Sequence, residues 1–177
     1  MRIEAANNSA GSAEVSQEPD MAKELKYPTT PDKDYSDFFR DPELTDKFPG
    51  VKLPPATFVA HHGKILAFAS GQSLSVVFPV GEAQTNPVGT LQGGILSSFF
   101  DDAFGMLCFA SLHKPCVTID LTVNFIRRVK LGSFVIIHAL FKGRSRKLLQ
   151  VSAEAVKGDE KLVATATSNL MIFESKL

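Results

Sequence analysis

Two adjacent carboxylates, Asp101 and Asp102, stand in the middle of the apolar run 91–111, LQGGILSSFFDDAFGMLCFAS. A carboxylate in such company is solvated, paired, or placed for chemistry. Eight residues before Asp101 comes the pair Gly93-Gly94. Backbone N–H groups at a helix N-terminus have no partner inside the helix and carry the positive end of its dipole. They suit an oxygen on which negative charge develops. Glycines there leave room for a reacting group, although a glycine pair also permits close packing of helices. The run therefore offers a carboxylate at its centre and unpaired donors at its start.

At about 100° per residue, one helix over this run carries Ile95, Leu96, Phe99, Phe100, Ala103, Phe104, Met106 and Leu107 on one broad face. The opposite stripe holds Gly94, Ser97, Asp101, Gly105 and Cys108, with Ser98 and Asp102 at its edge. A solvated face normally carries Lys, Glu or Gln. This one has no Lys, Arg or Glu, so it is expected to lie against a partner chain or a substrate. A membrane span is rejected, because each aspartate at its centre would cost about 2.5–3.5 kcal/mol.

Strand patterns flank the helix. Residues 57–69 and 74–78 read as a hairpin turned near Gly71-Gln72. Val117 to Phe125 alternates over nine residues, the strongest strand signal in the chain. Three more strand runs, 133–142, 148–157 and 162–173, are separated by turns at 143–147 and at Gly158-Asp159. The pattern is α+β, one central helix on an antiparallel sheet. Residues 1–34 have almost no large apolar side chain and are expected to be a disordered leader. A short helix and linker fill 35–55, and the folded domain runs from 56 to 174.

The chain has 177 residues, with 19 Lys plus Arg against 19 Asp plus Glu. Zero net charge excludes general nucleic-acid binding, which draws on phosphate neutralisation. Of the aromatic residues 14 are Phe, two Tyr and none Trp, which suits an apolar core or pocket. Cys108 and Cys116 make neither a disulfide framework nor a zinc site, and read as reduced, buried thiols. His61, His62, His113 and His138 show no metal-ligand spacing. The N-terminus lacks the apolar segment of a secretory signal. The ending Ser175-Lys176-Leu177 matches the address read by the peroxisomal import receptor, which gives an expected location in peroxisomes, or in the cytoplasm if the match is coincidental.

Asn86-Pro-Val-Gly89-Thr-Leu-Gln92-Gly93-Gly94 followed by Asp101 resembles the signature of hotdog-fold acyl-CoA thioesterases of the phenylacetyl-CoA thioesterase type, in the 4-hydroxybenzoyl-CoA thioesterase superfamily. That pattern is Asn, Gly, then His-Gly-Gly, with an acidic residue nine positions after the His; Gln92 to Asp101 is nine. Residues 118–125 resemble the family's next strand, which opens with a Ser or Thr of the active site. The resemblance covers about 56–173. It implies a long central helix wrapped by a five- to six-stranded antiparallel sheet, dimers joined edge to edge that often pair into tetramers, and acyl-CoA hydrolysis without metal or organic cofactor. By position, Asp101 would be nucleophile or general base, and the Gly93 N–H would bind the thioester carbonyl. Asn86 would position the reacting groups, Thr118 would hold the carboxylate or the water, and Gly94 would lie against the substrate. The chain departs from the pattern at Gln92, which stands where the family has His and cannot titrate.

Gly93 and Asp101 lie about 12 Å apart along one helix, too far for both to touch one carbonyl. Antiparallel helices across a two-fold axis bring the Asp101 of one chain to the Gly93 of the other, so a homodimer with shared sites is expected. Arg127 and Arg128, or Arg144, Arg146 and Lys147, could hold CoA phosphates, or be solvated turn residues. Two rivals are a non-catalytic acyl-CoA binding module and a hotdog enoyl-CoA hydratase or dehydratase.

Overall fold

The computed structural model describes residues 52–158 and 160–173. The expected leader, most of the linker over 35–55 and the tripeptide 175–177 lie outside the described residues. The elements run α1 (Ala56–Ala60), β1 (Lys64–Ala69), β2 (Ser73–Pro79), a 3-10 turn (Glu82–Gln84), α2 (Gly93–Leu112), β3 (Cys116–Phe125), β4 (Phe134–Arg144), β5 (Leu148–Lys157) and β6 (Leu162–Ile172). The six strands form one antiparallel sheet in the order β1-β2-β4-β5-β6-β3. The chain thus passes through α2 from one side of the sheet to its far edge, returns to the middle with β4, and closes back onto β3 with β6.

Strand alternation explains which face carries the helix. Leu74, Val76 and Phe78 of β2, Val135, Ile137 and Ala139 of β4, and Leu149, Val151, Ala153 and Ala155 of β5 are all buried. These residues meet Leu96, Phe99, Phe100, Ala103, Phe104, Met106 and Leu107 of α2 in one core. The Phe78 and Phe99 rings stack with centroids 4.1 Å apart. The helix is long and apolar enough to cross a membrane by composition alone; here that apolar surface is the inside of the domain.

Three expectations are corrected. The strand read over 57–69 begins only at Lys64, because Ala56–Ala60 is a helical turn seated on Pro55. Phe58 of that turn enters the core and meets Phe78 edge-on at 5.5 Å. Gly63 then has to be glycine: a Cβ there would stand 2.4 Å from the Phe58 ring and 2.7 Å from Phe78. Five residues are too few for a helical period to show in a sequence. Cys108, assigned to the outward stripe of α2, is fully buried in the core. Asp102, assigned to the stripe's edge, is buried as well, because α1 covers that side of the helix.

Two histidines that showed no ligand spacing have structural roles. His113 ends α2 in the left-handed region at φ 52°, its N–H donating to the Phe109 carbonyl at 2.8 Å. His61 sets its ring edge-on to Phe99 at 5.1 Å.

Candidate active site

The outward stripe of α2 carries Asp101 exposed to solvent. Its neighbour across the gap to β3 is Thr118, whose hydroxyl donates to Asp101 Oδ1 at 2.6 Å. The sequence places both: helical phase turns Asp101 away from the core, and Thr118 is the third residue of the edge strand. A hydroxyl bonded to one oxygen orients the carboxylate.

Asp102 is different in every respect. It is only 8% exposed. Thr57 of α1 donates to its Oδ1 at 2.6 Å, and its Oδ2 is buried without a hydrogen-bond partner. Burial raises its pKa to about 6, the Thr57 bond works against that rise, and the charge of Asp101 adds to it. Asp102 therefore joins α1 to α2 and is turned away from solvent.

At the start of α2 the donors can be accounted for one by one. The Leu91 N–H goes to the Val129 carbonyl at 2.8 Å and the Gln92 N–H to the Gln84 carbonyl at 2.9 Å. The Ile95 N–H is taken by Gln92 Oε1 at 2.8 Å, and the Leu96 N–H by the Gln92 carbonyl at 3.0 Å. Between them stand the N–H groups of Gly93 and Gly94, the first two of the helix, which have no intrahelical acceptor. Gln92 is thus the cap of the helix. Gly94 lets it fold back, since a Cβ at 94 would lie 2.9 Å from Gln92 Oε1.

Asn86 closes the loop before the helix. Its Oδ1 accepts from the N–H groups of Val88 and Thr90, each at 3.1 Å, and its Nδ2 donates to Thr90 Oγ1 at 2.9 Å. This is an Asx-type brace. Within one chain, then, Asn86 shapes the loop that delivers Gln92 and Gly93, and it does not touch Asp101.

Gly93 lines a cleft of about 330 Å³ together with Thr90, Leu96, Phe125, Arg127 and Arg128. The Phe125 ring lies 3.2 Å from where a Cβ on Gly93 would be, so one wall is aromatic and its neighbour is bare backbone. Arg127 donates from Nη1 to the Leu162 carbonyl at 2.7 Å, which fixes its guanidinium at the rim. Arg144, Arg146 and Lys147 are not part of this cleft. Arg144 acts on Cys116 at the beginning of β3, and the Lys147 carbonyl accepts from Ile172, the strand partner of Cys116. Phe125 ends the same strand, which spans about 30 Å. The two cation groups sit at opposite ends of the sheet.

The chain therefore holds two separate clusters: Asp101 with Thr118, and Gly93, Gly94 and Gln92 with the Arg127–Arg128 cleft. Residues that sequence reasoning missed are Phe125, whose contact with Gly93 depends on the long α2–β3 return, and Thr57, hidden in a segment read as strand. Among the described residues no cluster of three His, Cys, Asp or Glu could hold a metal ion.

Residues 88–164 match the family model of the thioesterase superfamily. Human acyl-coenzyme A thioesterase 13 is 30% identical over 107 residues, which cover 58% of this chain and 75% of that one. A phenylacetic acid degradation-related protein from Ralstonia eutropha JMP134 superposes with a TM-score of 0.64 at 33% identity, covering 75% of this chain and 98% of that one. A mutant of the phenylacetic acid degradation protein PaaI from Thermus thermophilus gives 0.63 at 25% identity, covering 67% of this chain and all of that one.

Proposed function

The chain belongs to the thioesterase superfamily and is a thioester hydrolase of the hotdog fold, and from that premise we propose that it cleaves acyl-CoA in a site assembled from two copies of itself. The supporting observation is the split of the machinery along α2. Asp101 is exposed on α2 and Gly93 is the first residue of the same helix, about 12 Å away along its axis. A thioester carbon under attack has to be within contact distance of the carboxylate while its oxygen is within about 3 Å of the donors. Two antiparallel copies meet both requirements, with Gly93 from one and Asp101 from the other.

The outer edge of β3 fits such a partner. Among the described residues β3 pairs only with β6, and Val117, Ile119 and Phe125 of this edge strand are exposed, Ile119 by 54%. An edge strand with exposed apolar side chains invites a further strand, and a copy of itself is the symmetric solution.

In the proposed reaction the carbonyl oxygen sits on the Gly93 N–H, with the Gly94 N–H beside it. The Asp101 carboxylate of the second copy, held by its own Thr118, attacks the carbonyl carbon or deprotonates the water that attacks it. Negative charge passes to the oxygen, where the helix N-terminus stabilises it. The tetrahedral intermediate then collapses, the C–S bond breaks and CoA leaves as its thiolate; where the carboxylate was the nucleophile, water then cleaves the acyl-aspartyl anhydride, so either route ends in the free acid. Gln92 contributes no proton. Its side-chain oxygen is spent on the Ile95 N–H, which leaves the two glycine donors as the ones that face the substrate. Phe125 and Leu96 supply apolar walls, and Arg127 and Arg128 supply charge for CoA phosphates.

The test is release of free thiol from short, long and aromatic acyl-CoAs, with Asp101→Asn beside the wild type. Turnover that falls by about two decades or more in the variant supports the reading. Acyl-CoA binding with no thiol release from any substrate would refute it.

A further inference from the structure

Arg146 and Lys147 have no part in the cleft above, and the surface they adjoin is apolar. Leu148 of β5, Met171 of β6 and Val117 of β3 stand opposite one another in register. All three are exposed, while Leu149, Leu170 and Ile172 beside them are buried. The three therefore form one row on the sheet face turned away from α2. Phe173 is exposed as well and carries the row past the end of β6, its N–H donating to the Pro115 carbonyl at 2.9 Å. Further in, the rows of the same three strands are polar, first Gln150, Asn169 and Asp120, then Ser152, Thr167 and Thr122. On these strands the apolar strip is confined to one end of the sheet.

The cations are at that same end. Arg146 and Lys147 directly precede Leu148, Lys114 comes three residues before Val117, and Arg144 ends the neighbouring strand β4; all four are exposed. The turn that carries Arg146 and Lys147 is held in shape. The Ser145 N–H donates to the Leu148 carbonyl at 2.8 Å, and Ser145 Oγ accepts from the Leu148 N–H at 3.0 Å. The carboxylate of the next row, Asp120, accepts from the Asn169 N–H at 3.0 Å and from Asn169 Nδ2 at 2.8 Å, so it is engaged within its own row.

We propose that this end of the sheet docks on an anionic phospholipid surface, with Leu148, Met171, Val117 and Phe173 at the acyl boundary and the cations on the headgroups. Apolar side chains rimmed by Lys and Arg match the two layers of such an interface. The shape favours a bilayer over an acidic protein. Adjacent strands are about 4.8 Å apart, so the row from Leu148 to Val117 is a flat strip about 10 Å long. A helical peptide needs a groove, and an added strand needs open main chain; β5 and β6 have both neighbours already paired. Pairing at the β3 edge runs in the plane of the sheet and leaves this face open.

The experiment sediments the full-length chain with vesicles of phosphatidylcholine alone or mixed with phosphatidylserine. Binding is expected only with phosphatidylserine, and to weaken as salt is added. The double variant Arg146→Ala/Lys147→Ala is expected to bind about twentyfold more weakly or worse, and Leu148→Gln/Met171→Gln about tenfold more weakly, both unfolding at the wild-type temperature. The chain has no Trp, so Phe173→Trp reports insertion as a shift of emission to shorter wavelength on the phosphatidylserine vesicles. A chain that stays in the supernatant, or an emission that does not move, would overturn the proposal. Binding that Leu148→Gln/Met171→Gln leaves intact would overturn it too, as attraction of the cations alone. So would an oligomer that this variant dissociates, which would give the strip to a second copy. None of these readouts uses acyl-CoA, so their failure is separate from failure of the thioesterase reading.

Discussion

Adjacent aspartates with opposite environments make the residue scale the most informative one. Asp101 is exposed and held by Thr118 at 2.6 Å, while Asp102 is buried and held by Thr57 at the same distance. Removing the hydroxyl from Asp101 with Thr118→Val deletes a hydrogen bond to a charged group, worth about 1.5–3 kcal/mol. If that bond is needed in the transition state, kcat falls roughly tenfold to a hundredfold with little change in KM, which steady-state kinetics will show. Asp102 makes a prediction about stability. Its pKa in the folded chain is raised to about 6 from 3.8, so between those values the folded state holds a proton that the unfolded state has lost. Stability from this group is therefore full below about pH 4 and is lost as pH rises through about 6. Asp102→Asn lacks the effect. Measured by urea unfolding, the variant is expected to gain on the wild type by up to about 3 kcal/mol between about pH 4 and pH 8. A difference that is flat with pH would mean that Asp102 carries no buried charge.

At the scale of elements, the start of α2 turns on a Gln in a position where Ser, Thr, Asp or Asn is usual. Its oxygen caps Ile95 only because Gly94 leaves space for the folded side chain. Gln92→Ala should cost about 0.5–2 kcal/mol by thermal or urea unfolding. Gly94→Ala, worth about 1 kcal/mol of stabilisation in an open helix, should gain nothing here and should regain that amount in the Gln92→Ala background, a coupling that a double-mutant cycle measures. This element is legible in the sequence because α2 is one long apolar run of helix-tolerant residues, and β3 because it alternates. The residues read from those patterns, Asp101, Gly93 and Thr118, stand where the patterns put them. What is not legible comes from packing between segments. The α1 turn is too short to show a period, and it is α1 that buries Asp102. Helical phase alone puts Cys108 on the stripe opposite the sheet, although its chemistry reads as buried; α2 packs along β3, which lies across a chain reversal that helical phase does not register. The hydrogen bonds of Asn86 to Val88 and Thr90, which brace the loop before α2, likewise come from the folded loop and are not visible in the motif.

At the scale of the whole molecule, the proposed site needs two chains, because its donors and its carboxylate are separated along one helix. The account predicts a dimer in solution whose turnover survives dilution only while the dimer does. It also predicts that Arg127→Ala and Arg128→Ala raise KM for acyl-CoA more than they lower kcat, and that added salt does the same. The most direct measurement is complementation between two inactive variants. Asp101→Asn removes the carboxylate. Gly93→Pro removes the donor and keeps the helix, because Pro is tolerated at the first helical position. Gln92, at φ −74° and ψ 134°, already has the extended backbone that precedes a proline. Each variant alone should be nearly inactive. Unfolded together, refolded and assayed on acyl-CoA, they should recover about a quarter of wild-type turnover, since half the dimers are mixed and each mixed dimer has one intact site. A mixture that stays as inactive as its components would place Gly93 and Asp101 in separate, single-chain sites and contradict the account.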